Sequence, residues 1–241
     1  MAAPPQWMPA PQVDPNCPKG LEYLTQIDQL VVKQQVELLE AFTDYEGANK
    51  YNIFNTLGQQ VYFAAEQSNC LERQCCLNAR SFEMRIVDNL QAEVMIIKRP
   101  LRCTSSCYCC ASWRQFMSVE SPPGNTIGYI QAELSFVNPS FLILGPNMEP
   151  QLRIQAPCFG HGCCTCEPKY KVQTLDEQEI GLIQKKWSGF AKEAFTEADN
   201  FSINFPMDLD VKVKAVLMGA LFMIDFLYFE KSSHDDDSGG Y

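Results

Sequence analysis

The chain has 241 residues, with 19 lysines and arginines against 29 aspartates and glutamates, a formal net charge of −10 and a hydrophobic share of 46%. That length and apolar share support one large domain or two small ones around a sizeable core. The acidic balance lacks the basic footprint of a nucleic-acid-binding domain, and it opposes simple attraction to anionic lipid unless a cation bridges the two.

The opening Met1-Ala-Ala-Pro-Pro-Gln-Trp-Met has no basic n-region and no apolar h-region, which predicts no secretory signal. Pro4, Pro5, Pro9, Pro11, Pro15 and Pro18 make residues 1–19 a short proline-rich disordered tail. Pro15 and Pro18 form one PxxP pair, the pattern an SH3-type partner takes. Over 20–46, Leu21, Leu24, Ile27 and Leu30 recur at three-residue steps and predict a short helical stretch, stopped by Gly47 and Asn49.

Hairpins follow. Residues 51–54 and 60–63 flank a polar turn at 55–58, 82–87 and 93–97 flank 88–91, 140–144 and 151–154 flank 145–150, and 169–172 and 180–183 flank 174–177. Phe82, Met84 and Ile86 alternate with Glu83 and Arg85, with Asp88 nearby, so that sheet has a buried face and a wet one. Two further strands are expected at 115–119 and 126–133. Phe201, Ile203 and Phe205 alternate with Asn200, Ser202 and Asn204, a half-buried strand.

The helix expected over 209–229 is apolar on every face: Ala215, Leu217, Met218, Leu221, Phe222, Ile224 and Phe226, with Asp225 the single charge from Ala215 to Phe229. Such a helix must be enclosed by protein or by lipid. Its fifteen apolar-run residues span roughly 22 Å, short of a bilayer core about 30 Å thick. A core helix is the first reading. A marginal single span anchored by Lys212 and Lys214 is the second. Ten or more antiparallel strands and one all-round apolar helix have a coherent solution, a mostly β fold in which the sheet closes around the helix. Residues 20–230 form that domain, and 231–241 an acidic flexible tail.

Twelve cysteines in a chain read as lacking a signal point to a reducing compartment, where thiols serve as metal ligands, lipidation sites or small hydrophobes. Cys103, Cys107, Cys109 and Cys110 follow the basic flank Lys98, Arg99 and Arg102, which suits thiol acylation at a membrane surface; zinc and inert thiols are the alternatives. Cys158, His161, Cys163 and Cys166 fit zinc spacing better, against structural thiols. The stretch from Glu197 to Asp208 offers Glu197, Asp199 and Asp208 for calcium, but as a twelve-residue loop it places Phe201 and Phe205 where ligands belong; the rival reading is a strand and a helix cap. With only His161 and His234, and no nucleophile elbow, phosphate loop or dinucleotide fingerprint, the chain lacks the signature of a bond-making enzyme.

Several long motifs resemble the phospholipid scramblase family: Pro18-Lys-Gly-Leu-Glu-Tyr-Leu-Thr-Gln-Ile-Asp28, Val61-Tyr-Phe-Ala-Ala-Glu66, Lys98-Arg-Pro-Leu-Arg-Cys103, Pro122-Pro-Gly124 with Ile127-Gly-Tyr129, and the run from Ala198 through Phe201, Ile203, Phe205 and Asp208 to Ala215. Gly219-Ala and Ile224-Asp-Phe226 resemble it too. The resemblance implies a tubby-like closed antiparallel barrel of about twelve strands around a hydrophobic C-terminal helix. It implies calcium-dependent, ATP-independent, bidirectional movement of phospholipids between leaflets, a lipid transporter rather than an enzyme. It places palmitate on the cluster Cys103, Cys107, Cys109 and Cys110. It places calcium on the segment Glu197, Asp199, Phe201, Ile203, Phe205 and Asp208, and a nuclear-import segment on residues 181–190, where Lys185 and Lys186 are basic. The cysteine run is sparser than in better-known members, and Glu197 and Ser202 stand where Asp and Gly are usual. The expected setting is the cytoplasmic face of the plasma membrane, by a single span or by peripheral acyl anchoring, with a nuclear pool. Because one short helix cannot line a path for headgroups, a homo-oligomer is one solution. The alternative is a non-catalytic membrane-associated module that binds lipid or protein in signalling or transcription.

Overall fold

The computed structural model describes residues 6–12, 15, 17–35, 48–76, 80–101, 114–133, 139–157, 168–186 and 200–229, apart from the side chains of residues 74 and 75. A 3-10 turn at Glu22–Gln26 leads into β1 (Gln29–Gln35), followed by β2 (Lys50–Phe54), β3 (Gln60–Gln67), helix α1 (Cys70–Cys76), β4 (Phe82–Val87) and β5 (Glu93–Arg99). Then come β6 (Phe116–Glu120), β7 (Thr126–Ala132), β8 (Ser140–Leu144), β9 (Pro150–Gln155), β10 (Lys169–Thr174), β11 (Glu179–Lys186), β12 (Asn200–Asn204) and helix α2 (Val211–Tyr228). Each strand pairs antiparallel with its neighbour in sequence, and β12 pairs with β1 to close a twelve-stranded barrel. Closure leaves no free edge among these strands.

Alternation decides what faces inward. On β4, Phe82, Met84 and Ile86 are buried while Glu83, Arg85 and Val87 are half-buried. Every residue of α2 from Lys214 to Phe226 is buried, so the barrel wraps the helix on all sides. Glycine lets helix and wall approach closely: a Cβ on Gly219 would lie 3.1 Å from both Ile130 Cδ1 and Val119 Cγ2, and one on Gly128 of β7 would lie 2.7 Å from Val216 Cγ2. No helix among the described residues is long and apolar enough to cross a membrane.

The barrel has two unlike ends. The hairpins β2–β3, β4–β5, β6–β7, β8–β9 and β10–β11 all turn at one end. They share a turn in which the first residue donates its amide across the loop, as Asn55 does to Gln59 O at 2.9 Å and Asp88 to Ala92 O at 3.1 Å. The other connections leave from the opposite end. Helix α2 enters at the hairpin end and finishes at the opposite one, where Tyr228 meets Phe141 and Tyr170, and Phe229 meets Phe201.

Two expectations are corrected. The helix expected over 20–46 is a 3-10 turn and then strand β1. A 3-10 turn has three residues per turn, so Leu21, Leu24 and Ile27 mark one buried face of it, while Leu30 and Val32 begin the two-residue alternation of a strand. The unfolded tail expected over 1–19 is docked in part: Met8 is buried, its amide donates to Gln60 O at 2.8 Å, and Gln60 N donates to Gln6 O at 2.9 Å. Pro18 of the PxxP pair is half-buried and its carbonyl accepts from Leu21 N at 3.0 Å.

Candidate functional site

Polar side chains fix α2 inside the barrel at both ends. Asp210 caps the helix, its carboxylate accepting from Lys212 N at 2.8 Å. Lys214, fully buried, donates to Leu24 O and Ile27 O at 2.9 Å and to Met207 O at 2.7 Å. Burial pushes its pKa down, opposed by the charges of Asp28 and Asp208. Lys214 is therefore an interior tether, not the lipid anchor of a membrane span. At the far end Tyr51 donates to Asp225 Oδ2 at 2.7 Å, which makes the one charge of the apolar run compatible with an interior. Phe226 stacks on Phe82 with centroids 4.2 Å apart, and the Arg80 guanidinium lies 4.8 Å from the Phe226 ring centre. Arg80 is ion-paired with Glu66 at 2.7 Å, both side chains being almost wholly out of solvent. Burial alone would raise the Glu66 carboxyl; the hydrogen bonds and charge of Arg80, with help from Ser68 and Asn49, hold it below the usual range.

At this same end, on the outer wall, lies a pocket of about 760 Å³. It is built where the far ends of β3, β4, β5 and β6 stand side by side. Its lining combines Ser68, Asn69, Ser81, Lys98, Arg99 and Ser118 with the rings of Phe82 and Phe116, and Glu83 at its rim. Lys98 Nζ lies 2.6 Å from Glu120 Oε1, and its ammonium is the main cause that lowers the Glu120 carboxyl. Arg99 donates to Gln115 Oε1 at 2.7 Å and lies 5.8 Å over Phe82, while Phe116 stacks on Tyr129 at 5.3 Å. Lys98, paired with Glu120, is the cation that stays partly open to solvent there, whereas Arg99 and Phe82 are buried in the wall behind it. Lys98 and Arg99 stand out in the sequence as a basic flank; the serines and phenylalanines do not, because four strand ends far apart in the chain supply them.

The expected calcium segment is a strand, not a loop. Phe201 and Ile203 are fully buried and Phe205 nearly so, all facing the interior. Asn200 opens β12 at one end of the barrel and Asp208 lies beyond its other end, exposed. The strand's five residues alone separate those ends by roughly 13 Å, whereas calcium takes its oxygens at about 2.3–2.6 Å. Of the six positions, the buried Phe201, Ile203 and Phe205 offer no side-chain oxygen, and Asp208 is the one described carboxylate. Glu197 and Asp199 lie outside the described residues. So do Cys103, Cys107, Cys109 and Cys110 of the acylation cluster, and Cys158, His161, Cys163 and Cys166 of the zinc reading. Among the described residues no group of three or more His, Cys, Asp or Glu side chains is placed to hold a metal ion. Of the nuclear-import segment, residues 181–186 form the end of β11, and Lys185 is buried with its ammonium 4.4 Å from the Phe229 ring, so it is not displayed as a basic signal.

A family model described as Scramblase matches residues 8–231. The chain belongs to the scramblase family. It is 48% identical to phospholipid scramblase 1 of Mus musculus over 235 residues, covering 97% of this chain and 71% of that protein. The human phospholipid scramblase 1 is 49% identical, over 97% of this chain and 73% of its own. Phospholipid scramblase 2 of Bos taurus is 50% identical over 225 residues, 93% of this chain and 76% of that protein. No solved structure matches the chain. For a scramblase-family barrel, the chemistry of interest lies where polar groups meet apolar ones at the surface, and the pocket of Lys98 and Arg99 is such a place.

Proposed function

We propose that this scramblase-family protein moves phospholipids between membrane leaflets without ATP, in response to calcium, while anchored by acylated cysteines. The observation that carries the reading is the match to the family over residues 8–231, with close to half of the residues identical to two phospholipid scramblases. Acyl anchoring is supported by position: the chain that continues past Leu101 to Cys103, Cys107, Cys109 and Cys110 leaves β5 directly after Lys98 and Arg99, whose charge favours an anionic surface. Calcium response is supported by the net charge of −10, which repels anionic headgroups until a divalent cation screens or bridges the two. Asp208, exposed at the hairpin end, with Glu197 and Asp199 of the same segment, are the carboxylates this reading assigns to calcium.

A second reading is favoured by the enclosure of α2. A headgroup crossing hydrocarbon leaves polar groups unsatisfied at several kcal/mol each. With its helix inside the barrel, one copy offers lipid no such path through α2. The protein then binds membranes as a non-catalytic module, or several copies assemble to make the path. Flip of a fluorescent phospholipid in vesicles holding one or more purified copies separates the readings. Calcium-accelerated flip, reduced in Asp199→Ala/Asp208→Ala, supports transport. Intact membrane binding with no flip at any copy number assigns the protein to the binding class.

A further inference from the structure

We propose that the hairpin end of the barrel carries a peptide-addition site for an extended strand with a large apolar residue ahead of a proline, and that residues 6–9 fill it in cis as a displaceable clasp on the tether of α2. Gln6-Trp-Met-Pro9 is the resident ligand. The site stands whether or not the protein moves lipid.

The site is an unfinished edge. β3 starts at Gln60, but β4 pairs with it over Phe63–Gln67, so the first residues of β3 run past the end of β4. The tail completes that edge in parallel: Gln60 N donates to Gln6 O at 2.9 Å, and Gln60 O accepts from Met8 N at 2.8 Å. Met8 is 7% exposed and joins the hydrophobic core, whereas Gln6 and Pro9 stand in solvent and Trp7 is half-buried. The sequence prepares the tail for this role. Pro9 pushes Met8 toward extended backbone, and Pro4, Pro5 and Pro11 keep the neighbouring residues from helix. A strand that is already extended loses less freedom on docking.

The clasp reaches the interior helix through the segment before β1. Met8 and Pro9 line a cavity of about 240 Å³ together with Ile27, Asp28 and the turn residues Asn55 and Leu57. The Ile27 carbonyl accepts from the Lys214 ammonium at 2.9 Å, and Asp28 O accepts from Phe205 N at 2.9 Å, just ahead of the link to α2. Residues 24–28 therefore lie between the tail and the tether, and a docked Met8 limits how far they can move away from Lys214. Two backbone hydrogen bonds and one buried side chain make a weak contact for a free peptide, with a Kd of about 1 mM, whereas a tail on the same chain meets the site at an effective concentration of that order. Filled in cis yet weak in trans is the balance a displaceable strap requires.

The test keeps the full chain and reads amide exchange by NMR. Met8→Asp puts a carboxylate into the apolar seat near Asp28 and should undock the tail. The Gln60 amide should then exchange at least about tenfold faster, and the Phe205 and Lys214 amides should follow, while amides of β8 and β9 keep their wild-type rates. Gln12→Asp, the same charge change at an exposed position of the tail, should leave all of them within about twofold. A synthetic peptide of residues 1–12, added above about 1 mM, should restore slow exchange in the Met8→Asp chain, and the peptide with the same Met8→Asp change should not. An unchanged Gln60 rate in Met8→Asp overturns the proposal, because the tail would not be what covers the edge. Faster exchange throughout β8 and β9 overturns it too, since Met8 would then be an ordinary core residue, as does a Gln12→Asp effect as large as that of Met8→Asp. Failure of the wild-type peptide to slow exchange removes the separable site, and a fast Gln60 beside unchanged Phe205 and Lys214 removes the clasp.

Discussion

Glu66 and Arg80 illustrate what a single buried charge does in this barrel. They meet at 2.7 Å with side-chain exposures of 0% and 1%, and Arg80 also covers the Phe226 ring of the interior helix. A buried pair adds little net stability against an apolar replacement, but removing one partner strands the other and costs about 3–5 kcal/mol. Glu66→Ala should lose that much in urea unfolding, and Glu66→Leu/Arg80→Met should recover most of it. The pair also fixes a pH dependence. The Glu66 pKa is lower in the folded chain than the ordinary value of 4.5. Its contribution is therefore complete above about pH 4.5 and is lost as pH falls through the lower folded value, because the unfolded chain then binds the proton more readily. Thermal midpoints measured from pH 7 down to about pH 3 should fall less steeply below pH 4.5 in Glu66→Gln than in wild type. An identical slope in the two would show that Glu66 does not carry the acid limb.

At the scale of elements, the interior helix is the part on which the barrel depends. Phe222 is fully buried, 5.0 Å from the ring of Tyr51. Phe222→Ala should cost about 3–5 kcal/mol, the range for opening a cavity under an aromatic ring. Gly219→Leu should cost about 1–3 kcal/mol by overpacking, since even a Cβ there touches Ile130 and Val119 at 3.1 Å. Amide exchange gives the sharper test: protons from Lys214 to Phe226 should exchange only with global unfolding, and adding vesicles should not speed them. Exchange that becomes fast in vesicles would mean that the helix leaves the barrel. Much of this architecture was legible. Asn55 to Gly58 and Asp88 to Gln91 declare turns by their chemistry, and the all-round apolarity of 215–226 declares enclosure. Strand β1 was not, because Leu21, Leu24, Ile27 and Leu30 keep one spacing across a 3-10 turn and a strand start. Helix α1 escaped because seven residues, Cys-Leu-Glu-Arg-Gln-Cys-Cys, are too few for a helical period to register. The pocket escaped for another reason. Hairpin logic tells which strands are neighbours, not which side chains at their far ends share a concavity.

Among the described residues of the whole molecule the two ends of the barrel differ in charge, and that difference bears on how it meets a membrane. At the hairpin end stand Asp28, Glu149, Asp176, Glu177, Asp208 and Asp210, all exposed, against Lys19 and Lys212. The same end shows Leu57, Leu90, Met148, Leu175 and Met207 at its turns and in the link to α2, apolar tips set among carboxylates. The opposite end holds the Lys98 and Arg99 pocket with Leu71 and Leu101 beside it, and from it the chain continues toward Cys103. Apolar tips alone would let either end touch lipid. Among the described residues charge favours the pocket end, since each basic side chain near an anionic surface gains about 1 kcal/mol and carboxylates are repelled. The segments that leave that end carry twelve acidic residues against Arg102, Lys192 and Lys231 in the sequence, so the orientation is a prediction to be tested: the pocket end should face the bilayer. Leu101→Trp should therefore be quenched by lipids brominated near the headgroup when the protein binds serine-containing vesicles, whereas Leu57→Trp and Leu90→Trp should keep their emission. All are made with Trp113→Phe and Trp187→Phe, so that the remaining natural Trp7, which bridges to Gln60 near the hairpin end, serves as an internal reference that should be spared as well. Quenching of Leu57→Trp and Leu90→Trp in place of Leu101→Trp would turn the molecule over. It would make the carboxylates at the turns the membrane contact, with calcium required to join two negative surfaces. Because chelation would abolish that contact and leave the Leu101→Trp contact in place, repeating the quench with a calcium chelator distinguishes the two orientations.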